Sequence, residues 1–570
     1  MSQVIGNLLA PPVGPPVALP DAPATQPGCA RVAAFDLGRL VELDYRSLAV
    51  LRVGLGLLLL GNYSVRSLAI DAFYTDGGVL PRSALSGVWP AMTWSLHTLG
   101  GSSGFIAGMF AVGAVFAVLL ILGLWTRFVT IASWALLVSV NNRNPFVNDS
   151  GDPLLALMLF WSIFLPLGAI ASVDALRSTK PPARGAYRHP ASAALVLQVL
   201  FVYIFTIIWK TDPVWTTHGW AVLYALEIDQ FTTPLGRWML QFPFWLIVGG
   251  AAMYAVEVLG PALALLPVRF VWARTAAALL FIGFHAGLIL TMKIGLFPFT
   301  CIVAWLTLMP AASLAAPLRF APIARAARAL SRLGGACLRA AARASARLPA
   351  SDPHAPLPRI ASPLIAALLL YVLVWNINGL PGRGFLPPAA KAPGTVLALR
   401  QNWNMFAPMP LTIDGWWVAP AQLADGSVID LRTGGPLSYD KPADVASTYP
   451  DHRWRKYMLN LAVPELRAQT LPYARWLVRR WEAEHPDRPV QRSRLVFVEE
   501  STRPPMESVR LRAFSFVEWE AGRMPRRLDP GDKPAPWLPV YIAWPRVGTP
   551  PEPSLPESSP FGAAPGAGPA

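Results

Sequence analysis

Charge is scarce in this chain: of 570 residues only 33 are acidic and 48 basic, so 14% carry charge. An ordinary soluble domain has roughly a quarter of its residues charged. Together with a hydrophobic fraction of 54% and a mean hydropathy of +0.42, that deficit excludes a soluble protein and predicts a membrane protein. Cysteine is rarer still. Cys29, Cys301 and Cys337 lie far apart in dissimilar surroundings, which excludes a disulfide framework or a paired-cysteine zinc site. His97, His189, His354, His452 and His485 stand without a carboxylate or thiol at ligand spacing, so no metal site is predicted. A Walker loop, a dinucleotide fingerprint after a strand and a serine elbow are all missing. The first forty residues lack the basic and apolar regions of a signal peptide, and read as a Pro-rich disordered tail. The segment 545–570 reads the same way.

What is present is long apolar runs. A helix needs about 20 mostly apolar residues to cross a bilayer, because lipid cannot satisfy an open backbone amide. Nine stretches qualify: 47–69, 104–125, 127–142, 153–171, 192–210, 241–266, 275–292, 295–316 and 361–380. The net charge of +15 is carried by arginines and lysines between these runs. They precede the first span and follow the fourth, sixth and eighth, which puts all four groups on one side. Short basic loops stay in the cytoplasm, so the N-terminus is predicted cytoplasmic, the C-terminal domain extracytoplasmic, and no nucleic-acid partner is expected.

The fold class is therefore an α-helical polytopic membrane protein of about nine transmembrane helices with a C-terminal extracytoplasmic α+β domain. Its predicted parts are a cytoplasmic tail (1–45), a transmembrane bundle (46–317), a basic cytoplasmic segment (318–360), a last helix (361–380), the α+β domain (381–544) and a second tail (545–570). In the basic segment, "APIARAARALSRLGGACLRAAARASARL" keeps its arginines on one helical face, as expected of an amphipathic helix on anionic headgroups. In the outer domain, "GWWVAPAQL" and "SVIDL" flank an Ala-Asp-Gly turn and predict a hairpin. Helical patterns follow at "RWRKYMLNLAV" and "YARWLVRRWEAEH", then strand patterns at "RLVFVEES" and "VRLRAFSFVEW".

Several motifs together, "LRVGLGLLLLGNYSVRSLAIDAFYTDGGVLPR", "RNPFVNDSGD", "FWSIFLPLGAIASVDA" and "FHAGLILTMKIGLFPF", resemble bacterial members of the HTTM (horizontally transferred transmembrane) group. This is the domain shared with vitamin K-dependent gamma-carboxylase. The resemblance covers residues 40–320, and "QNWNMFAPMP" and "RWRKYMLNL" resemble the C-terminal region of bacterial members. It implies a cell (inner) membrane enzyme that uses a lysine near the outer surface to deprotonate a reduced quinone such as vitamin K. In the carboxylase branch that step drives carboxylation of peptide glutamates. The implied partners are an isoprenoid quinol, a peptide or protein substrate and membrane lipids. Within "WKTDPVWTTHGW" the lysine role falls on Lys210. The carboxylase branch is expected to carry a histidine in the loop matching "VNDSGD", and this loop has none.

By the predicted topology the 141–152 loop and Lys210 open on the same surface. Arg143, Asp149, Asp152, Lys210, Asp212 and His218 are expected to line one mouth, with Trp215 in its aromatic rim. A half-buried Lys210 would lose proton affinity and serve as a base, while Asp212 would favour its charged form. Equally, Lys210 reads as a snorkelling anchor at a helix end. Asp149 or Asp152 reads as a cap for the following helix, with Pro153 at its first position, and Arg143 is expected to pair with one of these aspartates. Glu257 and His285 lie inside spans, both about 17 Å from the same boundary, and are expected to contact one another. Two functions follow: a carboxylase-like enzyme with Lys210 as base, or a non-enzymatic protein that binds, shuttles or anchors lipid. A coupled ion transporter lacks the expected inverted repeat.

Overall fold

The computed structural model describes residues 36–501 and 510–528. Both predicted tails fall wholly or largely outside the described residues, as do Cys29 and the last part of the predicted outer domain.

The bundle consists of α1 (Tyr45–Ser67), α2 (Ser103–Leu122), α3 (Thr126–Arg143), α4 (Gly151–Ser162), α5 (Pro190–Trp209), α6 (Pro243–Ala264), α7 (Phe270–Thr291), α8 (Phe297–Leu308) and, after the surface helix α9 (Ala321–Ala344), α10 (Ala361–Asn378). Capping residues set the starts. Asp44 accepts the Arg46 N–H at 2.7 Å, Ser102 accepts that of Phe105, and His189 Nδ1 accepts that of Ala191. At the end of α2 Gly123 takes a φ of +68° in the left-handed region. Helices approach closely where side chains are small: Gly113 lies beneath Tyr63 and Gly260 beneath Phe281, with no room for a Cβ at either.

Polar contacts define two ends. At the basic end, Arg188 bonds Asp36 at 2.7 Å, Arg274 the Leu40 carbonyl at 3.2 Å, Lys180 Asp352 at 2.7 Å, and Arg127 the Ala355 carbonyl at 3.1 Å. At the opposite end, Gln230 donates to Asp414 at 2.7 Å, Lys441 bridges to Asp229 at 2.6 Å, and Arg453 donates to the Val147 carbonyl at 2.9 Å. Helices α1 to α8 and α10 lie between these ends, α4 and α8 being only 12 residues long. Six of them, α1, α2, α5, α6, α7 and α10, are long and apolar enough to cross a membrane. Trp238, Phe244 and Trp245 are exposed at one end of the bundle and Trp272 at the other, the residue types enriched at membrane interfaces.

Two predicted spans are shorter than expected. The 153–171 stretch yields only the 12-residue α4, and 295–316 the 12-residue α8 and, beyond Pro310, a single helical turn at Ala311–Ala315. Hydropathy counted apolar turn residues as helix. Pro166 and Pro310 follow the helix ends, where the absent N–H and fixed φ prevent continuation.

The C-terminal domain is a six-stranded antiparallel sheet. Its strands are β1 (Ile413–Val418), β2 (Pro420–Leu423), β3 (Val428–Asp430), β4 (Val490–Ser501), β5 (Arg510–Glu520) and β6 (Arg526–Arg527). β4 is its axis: β2 and β1 pair end to end along one side, with Ala421 opposite Ser493 and Trp417 opposite Phe497, and β5 pairs along the other. The β2–β3 hairpin turns at Gly426, where φ is +82°, with Asp425 accepting the Ser427 N–H. α12 (His452–Ala462) and α13 (Thr470–Glu484) pack on the sheet, and Trp417, beside Phe497 and Phe516, donates to the Met458 carbonyl at 3.2 Å.

The sequence places everything after residue 381 outside the bundle, but the chain first turns back in. α11 (Pro388–Val396) lies against α10, where Tyr371 accepts the Gly394 N–H and donates to the Ala390 carbonyl, both at 2.9 Å. Gln401 then accepts from Gln198 of α5 and from Trp403, each at 2.8 Å. Gln198 is about 16 Å along α5 from Trp209. Irregular backbone at such depth is stable because protein amides satisfy it. A single glutamine within a long apolar run is averaged away in a windowed hydropathy profile.

Candidate functional site

Lys210 follows the last residue of α5, its N–H closing that helix on the Thr206 and Ile207 carbonyls. Its ammonium is ion-paired with Glu257 of α6 and stands 3.7 Å above the ring of Trp215, a cation–π contact. All three residues are only 5% exposed, so the pair is dry rather than half buried as expected from sequence. Trp215 is fixed by its Nε1 donating to the Phe406 carbonyl at 3.1 Å, and it stacks on Tyr254. Two turns deeper along α5, Tyr203 Oη lies 2.8 Å from His285 Nε2 and accepts from Trp305 Nε1 at 2.8 Å. His285 Nδ1 is buried without a partner.

The predicted Glu257–His285 pair is therefore not formed. Glu257 stands seven residues from the end of α6 and His285 fifteen from the start of α7, so the depth match counted from the loop arginines is not kept, and each turns towards α5: Glu257 to Lys210, His285 to Tyr203. The direction a helix faces depends on which neighbour it packs against. Asp212 does not reach Lys210 either. It caps the following turn, accepting the Val214 N–H at 2.9 Å. His218 is exposed and packs on Trp220 with ring centroids 4.7 Å apart.

A second cluster sits at the same end. Asp152 accepts from Arg66 of α1 at 2.9 Å, from Asn62 at 2.8 Å, and from both terminal nitrogens of Arg453 in α12, one at 2.9 Å. Arg66 continues to Tyr74 and Asn141, each at 2.7 Å, and to Asn148 at 3.0 Å. The three charged side chains are at most 1% exposed. Arg143 takes no part. Its guanidinium donates to the Leu80 carbonyl at 2.8 Å and the Thr75 carbonyl at 3.2 Å, so the expected Arg143–aspartate pair is replaced by two backbone contacts. The turn also differs in detail. Asp149 accepts the Gly151 N–H at 2.7 Å, and Pro153 is the third helical residue rather than the first.

His452 Nε2 lies 3.5 Å from Asp149 Oδ2, so a histidine from the C-terminal domain stands beside the loop that has none of its own. No carboxylate lies near it in sequence spacing beyond its own helix cap; proximity arises only on folding. Burial, with Arg453 adjacent, pushes the His452 pKa down to about 4. Burial and the neighbouring Asp152 hold Asp149 above the usual carboxylate range. His452 is thus neutral at pH 7, and the contact is not an ion pair there. The unfolded imidazole binds its proton near pH 6.5 while the folded one does not, so this stabilisation is complete above pH 6.5 and is lost as pH falls towards 4. The loss amounts to at most about 3 kcal/mol, and Asp149, whose raised pKa acts in the opposite sense, reduces it. Thermal unfolding of the wild type and of His452→Gln across this range should show the steeper acid loss in the wild type only; parallel curves would contradict it.

The two clusters are joined by contacts. Asp149 Oδ2 meets the Leu296 N–H, Arg455 donates to the Lys293 carbonyl and covers the Phe231 ring at 4.4 Å, and Phe231 packs on Phe406, which holds Trp215. Among the predicted residues, Lys210, Trp215 and Glu257 come together, and Asp149 and Asp152 belong to the neighbouring cluster. Arg66, Tyr203, Trp305, His452 and Arg453 escaped the sequence reading. Of these, Arg66 was visible as a charge within the first apolar run and Arg453 as part of the basic, aromatic stretch "RWRKYMLNL".

The apolar helices and the clamped sheet domain define a polytopic helical membrane protein with two buried charged clusters at the end that carries the sheet. No protein-family model, curated protein or solved structure matches the chain.

Proposed function

We propose that this is a nine-crossing membrane protein of the HTTM type, with its basic end in the cytoplasm and its sheet domain outside the cell membrane. We further propose that the Lys210–Glu257 pair moves a proton of a lipid-soluble quinol in a carboxylase-like reaction. The observation that carries the reading is the dry ion pair beneath Trp215 at the outer end of α5. Ionisable groups at membrane depth are costly and usually functional. The nine crossings are supported by the six helices long and apolar enough to cross, together with α3 and the shorter α4 and α8, the last two being covered by protein over most of their residues.

The ion pair offers a site for one proton beside the stacked rings of Trp215 and Tyr254. A quinol would supply an acidic O–H. The protein's part is proton handling. Transfer from the Lys210 ammonium to the Glu257 carboxylate leaves a neutral amine beside a carboxylic acid, and this amine is the base. The indole covers the site and keeps water from competing.

A naphthoquinol added anaerobically to the purified protein is expected to show phenolate absorption that is lost in Lys210→Met/Glu257→Gln, whose neutral pair keeps the packing. Equal spectra would remove the base role. The second reading, a non-enzymatic lipid-binding or anchoring protein, is favoured by the complete internal pairing of Lys210. It predicts copurified lipid in both proteins and phenolate in neither.

A further inference from the structure

We propose that α9 is an in-plane helix that binds anionic phospholipid headgroups at the basic end of the bundle. This goes beyond the proton chemistry at the opposite end and does not depend on it. Its position is the first ground. Upstream, Ser313 bonds Thr275 at the start of α7. Downstream, the Pro349 carbonyl accepts from Trp125, the Leu348 carbonyl from Arg177, and Asp352 pairs with Lys180. Both ends of a helix about 36 Å long are therefore tied to the end of the bundle. α9 lies across that end instead of projecting from it.

The second ground is the division of its surface. Residues three and four apart share a face, and α9 has three faces. Small residues, Ala324, Ala327, Ser331 and Gly335, are partly covered and form one sector, and α9 packs on the short helix Val173–Arg177. Arg325, Arg328, Arg332 and Arg343 are exposed along a second. Ile323, Leu330 and Leu333 are 45%, 69% and 64% exposed along a third, which also carries the exposed free Cys337. No acidic residue occurs between 321 and 351, so the arginine row has no carboxylate within its own segment. Exposed leucines beside a row of arginines match the boundary between acyl chains and headgroups. The apolar sector enters the boundary, and the guanidinium groups meet phosphates. A phosphodiester accepts two parallel N–H donors from arginine; zwitterionic headgroups carry one too, but their ammonium cancels its charge, so a row of arginines selects lipids of net negative charge.

The test uses the full chain with Cys29→Ser, labelled at Cys337 with an environment-sensitive fluorophore; Cys301 is buried. The labelled protein is placed in nanodiscs of phosphatidylcholine doped with phosphatidylglycerol. Quenching by doxyl groups on the acyl chains and protection from aqueous iodide are expected. Spin-labelled phosphatidylglycerol should be enriched around the protein, and replacing the four exposed arginines by glutamine should remove most of that enrichment, each charge being worth about fivefold at a membrane surface. Iodide quenching without doxyl quenching would overturn the proposal, as would protection from both quenchers, which would assign the face to a protein partner. Unchanged enrichment in the glutamine variant would overturn the headgroup contact even if the helix were membrane-bound.

Discussion

Asp152→Ala is expected to lower stability by about 3–5 kcal/mol and to release the C-terminal domain from the bundle. Asp152 is the carboxylate shared by Arg66 and Arg453, and none of the three is more than 1% exposed. Its removal leaves two guanidinium groups facing each other without water, and strands the Asn62 amide that donates to it. Arg453→Met should cost less, because Arg66 still neutralises Asp152 and the methionine refills the space. Thermal unfolding in detergent gives the first quantity and limited proteolysis between α10 and β1 the second. A change under about 1 kcal/mol for Asp152→Ala would mean that water enters the cluster and the three charges behave as surface groups.

The second large effect concerns Lys210 and Glu257. Either single change, Lys210→Met or Glu257→Gln, is expected to cost about 3–5 kcal/mol by leaving one buried charge alone, whereas the double variant should recover most of it. The cycle is informative because Trp215 adds a third partner to the ammonium at 3.7 Å. If the cation–π contact holds Lys210 without its carboxylate, Glu257→Gln will be the milder single change. Strict additivity would show that the ion pair contributes nothing. Folding of the double variant also separates the structural role of the pair from the proton-handling role proposed above.

The helices were legible in the sequence because lipid demands long apolar runs, and the sheet domain because alternation and an Asp-Gly turn are local signals. Lys210 and Glu257 stood out as charges in apolar stretches. Their pairing did not, since it depends on the azimuth at which α5 and α6 meet. Arg143 illustrates the same limit: a cation near two aspartates in sequence is closer in space to the Thr75 and Leu80 carbonyls. Tyr203, Trp305 and Gln198 were invisible because they carry no charge, although the helices are organised around their hydrogen bonds. Arg453 and His452 act on a loop some 300 residues away, a separation at which spacing conveys nothing.

That separation sets a timetable for biogenesis. Asp152 and Arg66 leave the ribosome early, while the guanidinium that completes their triangle is 301 residues further along the chain. At about 5–20 residues per second, translation leaves the carboxylate with a single cationic partner for some 15–60 seconds. During that interval a membrane-inserted but unfinished molecule must keep the vacancy wet, or covered by a chaperone, until the last third of the polypeptide arrives to seal it.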